Sequence, residues 1–135
     1  MSQPFVLQII TPTRTVLDAE VISVSCPGSE GRFQVLHNHA PMLAELETGR
    51  LDVDGTDGVR SAYAVSGGVA QVFHNRVVIL ADSAEFARDI DVARAEDARK
   101  RAERRLQDRQ GDIDTARADA ALLRAVNRLK IAQAG

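Results

Sequence analysis

Tryptophan is missing from the chain and cysteine occurs once, at Cys26, which excludes an internal disulfide and any Cys-x-x-Cys redox or zinc pair. The lone thiol fits a reducing compartment and reads as a small core residue on a strand. Aromatic residues make up 4% of the sequence, and from position 86 onward there is one, Phe86. With so few rings for bases to stack on, nucleic acid is not an expected partner. No apolar run reaches the roughly 18 residues needed to cross a bilayer. The opening Met1-Ser2-Gln3-Pro4-Phe5 lacks the basic and then apolar pattern of a signal peptide. Glycine-rich phosphate loops and nucleophile elbows are also absent, and nothing in the sequence reads as a catalytic centre.

What is present is a chain of 135 residues, 44% hydrophobic, enough for one modest core and an appendage. The net charge of −2 conceals a division. Residues 1–85 carry 5 Arg and 10 Asp or Glu, a balance of −5, whereas residues 86–135 carry 12 Lys or Arg and 9 acids, a balance of +3. A basic tail on an acidic body favours an acidic protein surface or a phosphate ligand.

From Phe5 to Leu80 the sequence runs in short β-branched stretches cut by turn residues, the pattern of a sandwich or barrel. Phe5–Ile10, Thr15–Val24, Leu51–Val53, Val59–Val65, Val69–Phe73 and Arg76–Leu80 read as strands. Cys26–Gly31, Asp54–Gly58, Gly67-Gly68 and His74-Asn75 read as turns. About nine or ten strands are expected, enough for two packed sheets.

Beyond Glu85 the period becomes helical. Asp91 is placed to cap a first helix, Gly111-Asp112 interrupts, and a second helix follows. Ala95, Ala98, Ala102 and Leu106 form a narrow apolar face on the first helix; Ala116, Ala120 and Leu123 form the expected matching face on the second, with Leu122, Val126 and Leu129 beside it. Glu96 with Lys100 and Asp97 with Arg101 are the expected helix pairs. Alanine makes good helix but buries little area, so this hairpin needs the β body, a ligand or a partner to stay closed. Folded about Gly111, it sets Arg94 opposite Arg128 and brings Arg124 near Arg94 and Arg101. Such a cluster of guanidiniums invites a polyphosphate, through charge-assisted and often bidentate hydrogen bonds.

A second constellation is His37-Asn38-His39. His-x-His on a strand puts both imidazoles on one face, and with His74 and Glu45 it outlines a cupin-like metal site, although Glu45 falls late and Pro41 breaks the strand. The alternative for the segment is a plain turn.

Taken in order, Thr11-Pro12 with Arg14, Gly28-Ser29-Glu30-Gly31, His39-Ala40-Pro41, Ser66-Gly67-Gly68, Leu80-Ala81-Asp82, Ile90-Asp91-Val92-Ala93-Arg94-Ala95 and Arg124-Ala125-Val126-Asn127-Arg128-Leu129 closely resemble the epsilon-subunit family of bacterial F-type ATP synthases, across nearly the whole chain. The resemblance implies a ten-stranded N-terminal β sandwich, residues 1–85, that docks into the rotor, and a C-terminal antiparallel two-helix hairpin, residues 86–135. It implies a non-catalytic central-stalk subunit, without metal, peripheral to the cytoplasmic face of the inner membrane. The partners it implies are the gamma subunit, the membrane c-ring and, through the C-terminal helices, the alpha and beta subunits of the catalytic head. Some members bind ATP as a regulatory ligand in the closed hairpin. Residues matching that motif are Glu85, Ile90, Asp91, Arg94, Ala95, Arg101, Arg124 and Arg128: phosphate contacts from the arginines, adenine and ribose contacts from Glu85, Ile90 and Asp91. Gln34 stands where the family has glycine, and His37-Asn38 where it has Pro-Gly.

Overall fold

A computed structural model describes residues 2–108 and 115–134; the expected interruption at Gly111-Asp112 lies outside them. Nine strands are followed by a 3₁₀ turn and two helices: β1 (Phe5–Ile10), β2 (Thr15–Cys26), β3 (Phe33–Val35), β4 (Met42–Leu46), β5 (Gly49–Gly55), β6 (Arg60–Val65), β7 (Gly68–Phe73), β8 (Arg76–Ala81), β9 (Ala84–Phe86), the turn Ala87–Asp89, α1 (Val92–Gln107) and α2 (Thr115–Ala134).

The strands make one continuous path, β4-β7-β8-β1-β2-β5-β6-β9, with β3 added on β2. It folds over on itself because β2 serves both halves. Thr15 to Val21 pairs with β1, and Val21 to Ser25 pairs with β5, with a register irregularity between Val21 and Ser23. An irregularity of that kind bends a strand and sharpens its twist, and here it turns the sheet over. Phe5, Leu7, Ile9, Val77 and Ile79 from one half share a single core with Leu51, Val53, Tyr63 and Val65 from the other. Alternation along β1, with Phe5, Leu7 and Ile9 buried and their neighbours half-buried, is the mark of a strand with one face inward. Among the described residues there are nine strands, within the nine or ten expected from the turn spacing and one fewer than the resemblance implies.

Turns follow their residues. His74 and Asn75 both adopt positive φ, at 46° and 56°, to join β7 to β8. Asn38 takes φ 60°, at the position where the resemblance implies glycine; asparagine tolerates the left-handed region because its short polar side chain bonds locally. Gln34 sits on β3 opposite Ser25.

β6 departs from simple alternation: Ala62, Tyr63, Ala64 and Val65 are all buried. Tyr63 and Val65 face the sandwich core. Ala62 and Ala64 pack with Ala87, Ile90 and Ile131 in a second cluster, which seats α2 on the sandwich. Asp91 caps α1 as expected, its Oδ1 accepting from Arg94 N at 3.1 Å. Ala95 and Ala102 are buried on α1, with Ala98 and Leu106 half-buried.

The face of α2 differs from expectation. Ala118 and Ala125 are buried, with Leu122 and Leu129 half-buried, whereas Ala116 and Ala120 are exposed and Leu123 is 55% exposed. Alanines occur on several faces of this helix, and the face chosen is the one that also turns Ile131 onto β6. The charge pairs on α1 are also different. Arg99 bonds both Glu96 and Glu103, with the spacings of three and four residues that bring helix neighbours together.

Candidate functional site

A cleft of about 350 Å³ opens between the sandwich and the hairpin. β6 and the segment after it supply Ala64, Val65 and Ser66; Ser83 and Glu85 come from the edge of β9; α1 supplies Ala98, Arg101, Ala102 and Arg105; α2 supplies Ala121, Arg124, Ala125, Asn127 and Arg128. Alanines line it because they form the seam, and their short side chains leave the space that a larger residue would fill. The long arms of the arginines reach around them.

Four guanidiniums and one carboxylate line this cleft. Arg128 donates to Glu85 in a fork, Nε to Oε1 at 2.6 Å and Nη2 to Oε2 at 3.1 Å, with side chains 26% and 32% exposed. Arg101, Arg105 and Arg124 are exposed and make no ion pair among the described residues. The cleft is thus a concave site with an excess of cationic donors, suited to a multiply charged oxyanion. On its sandwich side the Ser66 and Ser83 hydroxyls bond one another, and Ser66 N donates to Ser83 O at 3.0 Å. Asn127 Nδ2 donates to Gly49 O at 3.0 Å, fixing the rotation of α2 above the site.

The residues expected for the nucleotide divide into two groups. Glu85, Arg101, Arg124 and Arg128 meet in the cleft. Ile90, Asp91, Arg94 and Ala95 build the start of α1 instead: Ile90 is 7% exposed in the second apolar cluster, Asp91 is the cap, Arg94 is exposed and Ala95 is fully buried. Arg105, not Arg94, is the fourth arginine that lines the cleft. Sequence reasoning missed Arg105 and Asn127, although helical spacing points to both, one turn from Arg101 and Arg124. It also missed Ser66 and Ser83, for which no periodic signal exists.

The cupin-like reading is overturned. β3 ends at Val35, before His37, so no strand carries His-x-His. His37 Nδ1 lies 3.1 Å from Pro4 O and His39 Nδ1 2.7 Å from Ala40 O. His74 sits in the β7–β8 turn, and among the described residues no three His, Cys, Asp or Glu side chains converge on a metal position. Cys26 is fully buried, and that burial pushes its thiol up to about 12.

Solved structures share this architecture. A chain of the Euglena gracilis mitochondrial ATP synthase, in an assembly of OSCP, F1 and c-ring, superposes with a TM-score of 0.81 at 23% identity, over 96% of this chain and 81% of that one. A chain of the Tetrahymena thermophila mitochondrial ATP synthase central stalk and c-ring gives a TM-score of 0.58 at 16% identity, over 98% and 96%. The ATP synthase epsilon chain of Herpetosiphon aurantiacus is 49% identical over 107 residues, 79% of this chain and 78% of that one. That of Symbiobacterium thermophilum is 51% identical over 105 residues, 77% and 75%. The model of the ATP synthase delta/epsilon chain β-sandwich domain matches residues 4–87, and that of the long α-helix domain of the same chain matches residues 88–133. Matched along both its sandwich and its helices, the chain belongs to the ATP synthase delta/epsilon family, among the epsilon chains of F-type ATP synthases.

Proposed function

We propose that this chain is a non-catalytic central-stalk subunit of a proton-translocating F-type ATP synthase. Its sandwich docks on the gamma subunit and the membrane c-ring, and its hairpin binds ATP and regulates hydrolysis. The protein works at the cytoplasmic face of the inner membrane, held there through the complex. No helix among the described residues is long and apolar enough to cross a bilayer.

The observation that carries the ATP reading is the cleft itself, where four guanidiniums from two helices face one carboxylate from the sandwich. A polyphosphate there joins three elements that are otherwise held by a shallow alanine seam, the Ile131 contact and two polar contacts. Without a ligand the guanidiniums repel one another and favour separation of the helices. At about 100 times its dissociation constant, ATP stabilises the closed hairpin by about 2.7 kcal/mol, enough to decide a near-balanced switch. The opened helices, carrying a net positive charge, then extend toward acidic helices of the catalytic beta subunits and restrain hydrolysis.

Calorimetric titration of the isolated chain with ATP, against ADP and with and without magnesium, tests the reading. Saturable one-to-one binding is expected, weakened roughly 10-fold or more by Arg124→Ala with Arg128→Ala while the sandwich stays folded. Absence of binding at millimolar ATP, or unchanged affinity in the double variant, refutes the site and leaves the rotor role standing.

A further inference from the structure

The first two residues of β5 are gripped from two directions. From the helices, Asn127 donates to Gly49 O at 3.0 Å. From the sandwich, the turn after β2 closes on the same stretch. Pro27 lies so close to Gly49 that a Cβ added there would sit 2.7 Å from Pro27 Cβ. At the far end of the turn Arg32 donates from Nη1 to Arg50 O at 2.6 Å and from Nη2 to Asp52 Oδ2 at 2.9 Å. The turn is also laced to the β4–β5 corner, with Ser29 N to Glu45 O and Glu47 N to Pro27 O, both at 2.9 Å, and is closed by Gly31 N to Gly28 O at 3.1 Å. Its base, Pro27 and Gly28, is buried, while Ser29 and Glu30 are exposed.

We propose that Asn127 ties the cleft to the Pro27–Gly31 turn, so that seating of α2 sets the order of an exposed turn on the sandwich. Asn127 lies between Arg124 and Arg128 and lines the cleft with them. Whatever holds those arginines also holds Asn127 over Gly49. Gly49 opens the β5–β6 ladder opposite Val65 and has no side chain to steady its peptide, so it loses its restraint from the helices when Asn127 leaves. The surface resting on that peptide is Pro27. Each link is a direct contact, and the coupling is reciprocal: anything that grips the turn favours the seated hairpin. The effect of a ligand rests on the ATP reading above; the effect of Asn127 does not.

Hydrogen exchange on the full chain tests this. In Asn127→Leu without nucleotide, the amides of Ser29, Gly31 and Glu47 are expected to exchange roughly two- to tenfold faster, the range for loss of one hydrogen bond, while those of β1 and β8 hold. In the reverse direction, Gly49→Ala, which crowds Pro27, speeds exchange in α2; if that variant fails to fold, Asn127→Leu decides alone. Unchanged exchange at the three amides overturns the proposal whether or not α2 loosens, and so does equal acceleration in β1 and β8. ATP is expected to slow the same three amides in the wild type. Binding without that slowing defeats the coupling and spares the ATP site, whereas failure of ATP to bind leaves the Asn127→Leu result to decide.

Discussion

Ile131→Ala should release α2 while leaving the sandwich intact. Ile131 is 2% exposed and is packed among Ala62, Ala64, Ala87 and Ile90. The substitution deletes three carbons, worth about 0.8 kcal/mol each in transfer. Most of its neighbours are alanines, whose side chains cannot swing into the space, so the void persists and the loss is about 2–3 kcal/mol. Two polar contacts remain on the same side: the Asn127–Gly49 bond, worth about 1 kcal/mol, and the Glu85–Arg128 pair, whose partial exposure limits it to about 1 kcal/mol. The open population of α2 should therefore rise roughly 30- to 150-fold. Trypsin cleavage after Arg124 and Lys130, both on exposed positions of α2, tracks that population when reclosing is fast. Cleavage after Arg76, the first residue of β8, serves as the internal control and should not change. Equal acceleration at Arg76 would show that sandwich and hairpin unfold as one unit. No acceleration after Arg124 would show that Ile131 does not hold the helix.

Two further outcomes follow from the sandwich. Hydrogen bonds from Arg60 and then Ser23 hold the Asp54 carboxyl below its ordinary value of 3.8. A depressed folded-state value adds stability above the ordinary one, and that stability is lost as pH falls through the folded value. Asp54→Asn should thus lower the urea midpoint at pH 7, with the gap from wild type closing below about pH 4; a gap that stays constant with pH would show that the carboxylate charge is not involved. Cys26, fully buried and with its thiol pushed up to about 12, should resist a thiol reagent at pH 8 in the native protein and react in denaturant. Rapid native labelling would contradict the packing around it.

Much of this was legible in the residues. Short apolar runs bounded by turn residues located β1, β6, β7 and β8 within a residue or so. Turn chemistry found His74-Asn75, and Asn38 takes up the positive φ that a glycine there would adopt. The helix face on α2 was not legible, because alanine at many positions makes several stripes look alike, and the choice was made by β6, far away in sequence. For the same reason a hairpin drawn in isolation set Arg94 in the cluster, whereas the sandwich takes up the start of α1 and leaves Arg105 to line the cleft. His-x-His misled because metal spacing presumes a strand, and the strand had already ended at Val35.

The surface that α2 covers is built from Ala62 and Ala64 of β6, with Ala87 and Ile90 beside them. When the helix departs, what faces water is a few methyl groups and one isoleucine side chain, short of the several hundred Å² of contiguous apolar surface that makes a protein adhesive. Ile131, the largest apolar side chain α2 brings to this contact, leaves with the helix. The bare sandwich is therefore expected to stay free of aggregation through repeated cycles of departure and return, a requirement that a leucine-rich seat would have failed.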